Sequence, residues 1–76
     1  MEEKLMQVIA KAFNVEVSTL SPDTRFNEDL DSESIQKFVI IGEIEEMTGK
    51  KTTYQKFNKN KTVGEAIAFV KKLMDS

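Results

Sequence analysis

Two serines, Ser32 and Ser34, stand in an acidic loop, Phe26-Asn27-Glu28-Asp29-Leu30-Asp31-Ser32-Glu33-Ser34-Ile35, which runs directly into an apolar helical segment. A hydroxyl at a helix start is exposed and lies at the positive end of the helix dipole, where an attached phosphate group is better tolerated than in mid-helix. The rest of the chain offers little competing chemistry. Without cysteine or histidine, it lacks the ligands of a zinc site and the base of a catalytic triad. Asp29, Asp31 and Glu33 alternate as in an EF-hand loop, but the sixth position from Asp29 is Ser34 rather than glycine and the twelfth is Ile40 rather than glutamate, so no calcium site is expected. Paired-carboxylate hydrolysis needs a walled cleft, which 76 residues do not build. No catalytic residue and no metal ligand is assigned, and the chain does not read as an enzyme.

The elements that must hold those serines are helices. Leu5, Ile9 and Ala12, with Val8 and Phe13 alongside, recur at helical spacing and predict a first helix over about 2–13, with Glu2 and Glu3 where the dipole favours acids. Asn14 follows as a left-handed stop. Val15, Val17 and Leu20 are read as a loop pinning apolar side chains into the core, and Ser21-Pro22-Asp23-Thr24 as a turn. A second helix is expected from Ser34 to about Thr48, ended by Gly49. Its core stripe comprises Ile40, Ile41, Ile44, Met47 and the stem of Lys37. Ile35, Phe38 and Gly42 project to the opposite side, with Val39 beside them and Glu45 and Glu46 flanking. An apolar patch rimmed by glutamates at the end of a phosphate-tolerant loop has the make-up of a docking surface. A short third helix is expected around 53–58. The last begins at Thr62-Val63-Gly64-Glu65, a capping box in which Glu65 reaches back, with Val63, Ile67, Val70 and Leu73 as its buried stripe and Ala66 and Met74 alongside. The whole reads as a single all-α domain, 1–76.

Charge is unevenly spread. Residues 1–49 hold four basic and eleven acidic side chains, a balance of minus seven, and residues 50–76 hold seven lysines against Glu65 and Asp75, a balance of plus five; together they give the net −2. Lys50, Lys51, Lys56, Lys59 and Lys61 with Tyr54 and Phe57 would be the material of a nucleic-acid surface, but Arg25 is the only arginine and the larger region is acidic, so no nucleic-acid partner is expected. There is no apolar run of membrane-spanning length and no signal-peptide pattern. A cytoplasmic monomer is expected.

Pro22-Asp23-Thr24, Phe26, Glu28-Asp29-Leu30, Ser34-Ile35, Glu45-Glu46, Gly49, Thr62-Val63 and Ala66-Ile67 together resemble the acyl carrier protein family over essentially the whole chain. The resemblance implies a small four-helix bundle with three longer helices and a short third one. It also implies a 4′-phosphopantetheine arm on a serine at the start of helix two. Coenzyme A would donate the arm, through a magnesium-dependent phosphopantetheinyl transferase. Ser34 is the implied attachment residue and Ser32 its rival, because Asp31-Ser32 keeps the aspartate-serine pair of the family motif, whereas Glu33 precedes Ser34. A chain without cysteine must take its thiol from such an arm. Glu33, Ile35, Phe38, Gly42, Glu45 and Glu46 fall where acyl-loading and acyl-processing enzymes would dock. Three departures, Glu33, Gln36-Lys37 and the lysine-rich 50–61 segment, point to a specialised fatty acid, polyketide or lipid pathway with dedicated partners. An aminoacyl or D-alanyl carrier would use the same serine and arm, and an unmodified helical interaction module would use only the Phe38 face.

Overall fold

The computed structural model describes residues 2–75; Met1 and Ser76, the ends of the expected 1–76 domain, lie outside them. Helix α1 spans Glu2–Phe13, a single 3₁₀ turn spans Val17–Thr19, and α2 (Ser34–Thr48), α3 (Tyr54–Phe57) and α4 (Val63–Asp75) follow. Each end has a local cause. Asn14 takes φ +56° after α1, and Gly49 takes φ +69° and donates its N–H to Glu45 O, closing α2 in the left-handed conformation glycine adopts without strain. Thr53 Oγ1 accepts the Lys56 N–H at 3.2 Å to start α3, and Thr62 Oγ1 accepts the Glu65 N–H at 3.1 Å to start α4.

Helix α1 packs against α2 and α4, and α2 also packs against α3. The core is apolar except for Lys37 at its edge: Leu5 and Ile9 from α1, Ile40, Ile41 and Ile44 from α2, Phe57 from α3, and Val63, Ala66, Ile67 and Val70 from α4 are buried around Phe26. Phe26 anchors the long α1–α2 connection. Its ring centroid lies 6.1 Å from that of Phe13 and 6.0 Å from that of Phe57, and burying such a ring contributes roughly 1.5–3 kcal/mol. The same connection is tied to the α3–α4 loop by a two-residue antiparallel bridge between Arg25 and Thr62. Phe26 N–H donates to Lys61 O at 3.0 Å and Val63 N–H to Thr24 O at 2.9 Å.

Several expectations are corrected. Of the three apolar residues expected to pin the 15–20 segment, only Leu20 is buried; Val15 precedes the 3₁₀ turn and Val17 opens it, both exposed, because the short turn buries none of its own residues and only the chain beyond it returns to the core. Met74 is exposed at the last turn of α4. Glu65 does reach back, but to the Lys61 N–H at 2.6 Å. Gly64 serves a close approach: its N–H donates to Pro22 O at 2.9 Å, and a Cβ there would stand 2.9 Å from that same oxygen.

Candidate functional site

The acidic loop is folded by its own side chains. Arg25 N–H donates to Asp29 Oδ2 at 2.8 Å and the Arg25 guanidinium reaches Asp29 Oδ1 at 3.2 Å. The hydrogen bond from the Arg25 backbone N–H, reinforced by the guanidinium, holds the Asp29 carboxyl below its ordinary value. Asp31 adopts φ +51°, a left-handed turn that a short polar side chain tolerates, and Ser32 N–H returns to Phe26 O at 3.0 Å. The chain then enters α2 in extended conformation at Glu33.

The two serines are placed differently. Ser32 is half-buried and its Oγ donates to Asn27 Oδ1 at 2.8 Å. Ser34 is exposed as the first residue of α2. The helical ladder opens with Lys37 N–H donating to Glu33 O at 3.4 Å, so the amides of Ser34, Ile35 and Gln36 precede it, as at any helix amino end. Gln36 Oε1 accepts the Glu33 N–H at 2.7 Å, which fixes the entry into the helix. The Ser34 hydroxyl lies 3.3 Å from the hydroxyl of Tyr54 on α3.

The predicted docking residues form one outward face. Ile35, Phe38 and Val39 are 68%, 56% and 53% exposed on the first two turns of α2. Gly42 is open, with nothing within 4 Å of where a Cβ would stand. Glu33 and Glu46 are exposed beside the patch. Glu45 is engaged elsewhere: it is half-buried, and its Oε2 accepts the Thr52 N–H at 3.1 Å, bracing the α2–α3 loop.

Gln36 and Lys37, expected as departures that partners would read, have internal work. Gln36 caps α2, and Lys37 is 4% exposed. Its Nζ donates to Asn58 Oδ1 at 2.6 Å and to Asn27 Oδ1 at 3.4 Å and stands 5.9 Å from the centroid of Phe26. It therefore joins the serine loop, α2 and α3. The aromatic residues of the lysine-rich segment are likewise spent: Phe57 is fully buried, and Tyr54 stacks on Phe38 with centroids 4.9 Å apart and planes at 25°. Phe57 thus offers no face for a base and Tyr54 has one face taken, whereas Lys50, Lys51, Lys56, Lys59 and Lys61 are exposed.

Tyr54 is the site residue the sequence reading missed. The sequence places it with Phe57 on a short helix or on a basic surface, and carries no local signal for its meeting with Ser34 and Phe38, which lie twenty and sixteen positions away.

The residues fit a phosphopantetheine arm: an exposed hydroxyl heads a helix of four turns, amides stand ahead of its ladder, and a neutral donor lies beside it. Among the described residues no helix is long and apolar enough to cross a membrane. The family model described as "Phosphopantetheine attachment site" matches residues 3–70. The acyl carrier protein of Lactobacillus acidophilus is 32% identical over 68 residues, covering 90% of this chain and 85% of that protein. That of Rubrobacter xylanophilus is 31% identical over 68 residues, 90% of this chain and 84% of its own length. "Acyl carrier protein 2" of Ralstonia nicotianae is 26% identical over 72 residues, with 95% and 89% covered. A helical fold with a serine-headed second helix, matched along nearly its whole length, places this chain in the acyl carrier protein family, carriers of phosphopantetheine rather than catalysts.

Proposed function

We propose that Ser34 is the residue that carries the arm. The observation that supports it is the contrast between the two serines: Ser34 is exposed at the head of α2 and meets only the Tyr54 hydroxyl at 3.3 Å, whereas Ser32 is half-buried before the helix and its Oγ donates to Asn27 Oδ1 at 2.8 Å. In the loading step Ser34 Oγ forms the new bond to the phosphorus of the 4′-phosphate of coenzyme A. The pyrophosphate bond breaks, 3′,5′-ADP leaves, and the hydroxyl proton passes to the transferase. Once bound, the arm supplies the thiol on which acyl groups are held as thioesters. The contribution of this chain is to orient the attachment point, to favour the phosphodiester with the amino end of α2, and to raise the local concentration of cargo for enzymes that dock beside it.

Ile35, Phe38, Val39 and Gly42, with Glu33 and Glu46 at the edge, form the docking face in this reading, and Glu45 acts chiefly through the loop it braces. The carrier works as a cytoplasmic monomer with a phosphopantetheinyl transferase and a dedicated set of acyl-loading and acyl-processing enzymes. The exposed lysines of the 50–61 segment support a specialised pathway, and Gln36 and Lys37, whose side chains have internal partners, would bear on it through the acidic charge they replace.

Incubation with coenzyme A, magnesium and a broad-specificity transferase, followed by intact mass and peptide mapping, tests the assignment. The wild-type chain and Ser32→Ala should gain one arm, and Ser34→Ala none. An arm on the Ser34→Ala chain would overturn it.

A further inference from the structure

Tyr54 is the residue of this site that attachment to Ser34 does not itself require. Its hydroxyl lies 3.3 Å from Ser34 Oγ, twenty positions away in sequence. Two contacts on adjacent helices fix it there. The ring stacks on Phe38, one turn beyond Ser34, and α3 is bound to α2 by the Lys37 ammonium on Asn58 Oδ1. A phenol so held has little freedom to lose when it makes a further hydrogen bond.

We propose that Tyr54 is a positioning residue for the arm: its hydroxyl donates a hydrogen bond to a phosphodiester oxygen once Ser34 is modified, directing the arm along the α2–α3 side of the molecule. The proposal rests on Ser34 being the attachment residue. The non-bridging phosphate oxygens share their phosphorus with Ser34 Oγ, two P–O bonds away, and so come within reach of a hydroxyl that already lies 3.3 Å from Ser34 Oγ. The local charge explains why a neutral donor suits the place. Asp31 and Glu33 precede Ser34 within three residues, and the Lys37 ammonium is turned inward toward Asn27 and Asn58. The phosphodiester thus meets acids on the loop side and depends on uncharged donors, the first-turn amides of α2 and the Tyr54 phenol.

The chain contains one tyrosine and no tryptophan, so tyrosine emission reports Tyr54 alone. The wild-type and Tyr54→Phe chains are converted to the arm-bearing form, their modification at Ser34 is verified by mass and peptide mapping, and their ³¹P spectra are compared. Phenylalanine keeps the stack on Phe38 and removes only the hydroxyl. The expected results are a phosphodiester resonance displaced by more than a linewidth between the two chains and a loss of wild-type tyrosine emission on modification that the Ser34→Ala control does not show. Coincident resonances, or an emission unchanged by modification, overturn the role of Tyr54 while leaving Ser34 in place. An arm mapped to another residue overturns both readings.

Discussion

Lys37 is the one charged side chain buried among the described residues, and its environment is built from amides rather than a carboxylate. Asn58 and Asn27 supply the oxygens, and the face of Phe26 lies beneath. An ammonium without an acidic partner is costly to bury, so the short contact to Asn58, the longer one to Asn27 and the packed stem must offset that cost. The placement of the stem on the core stripe was legible from the 3.6-residue period, since Lys37 falls in line with Ile40, Ile41 and Ile44. The partners were not, because both asparagines are distant in sequence. Lys37→Ala removes stem and ammonium together and should lower unfolding stability by about 2 kcal/mol. Lys37→Met keeps the stem and should cost about 1 kcal/mol or less. Urea denaturation of the three chains checks the order, and a methionine variant weaker than the alanine one would show that the stem is not what packs.

At the scale of the element, α2 is apolar on two faces, and that is why its function could be read. Ile40, Ile41 and Ile44 turn inward, while Ile35, Phe38 and Val39 turn outward beside Ser34. The bounds of the three long helices were legible because caps and stops are local: Asn14, Gly49 and Thr62 each act within a turn. What escaped the sequence is non-local. The Arg25–Thr62 bridge, the brace from Glu45 to Thr52 and the meeting of Tyr54 with Ser34 join segments whose approach depends on the packing around Phe26 and Phe57. Two glycines separate local from functional causes. At Gly42 a Cβ meets nothing, so Gly42→Ala should gain up to about 1 kcal/mol of helix propensity while narrowing the proposed docking face. At Gly64 a Cβ would press on Pro22 O, a backbone atom that α4 itself holds by a hydrogen bond, so Gly64→Ala should be destabilising, by about 1–3 kcal/mol. Thermal or urea midpoints that moved in the same direction for both would contradict this division.

The whole molecule carries its charge as two stretches of opposite sign, residues 1–49 and 50–76, on one small bundle. Some of it is internally spent. Arg25 serves Asp29, and Glu2, its carboxyl held down by the hydrogen bond from Lys71, ties the start of α1 to α4. The exposed lysines Lys51, Lys56 and Lys59 lie on and around α3, and of the exposed acids Glu33 caps α2 while Glu43 and Glu46 lie on it. α2 and α3 pack together, so an enzyme that seats on Phe38 meets both signs. A partner evolved to grip a uniformly acidic carrier through a basic patch would gain on the α2 side and be repelled on the α3 side. Such juxtaposition of like charges lowers association rates first and affinity with them. A housekeeping fatty acid synthase offered the loaded protein should therefore turn it over with a kcat/KM about tenfold or more below that for its own carrier, a difference of roughly 1.4 kcal/mol in transition-state free energy. If the lysines are the cause, Lys51→Glu with Lys56→Glu and Lys59→Glu should recover most of that loss, and moderate salt should narrow the gap between the two forms by screening the repulsion. Equal turnover of the unaltered protein would remove the case for dedicated partners. A triple variant that stayed poor at all salt concentrations would move the discrimination from the lysines to the apolar face around Phe38, where shape rather than charge would have to carry it.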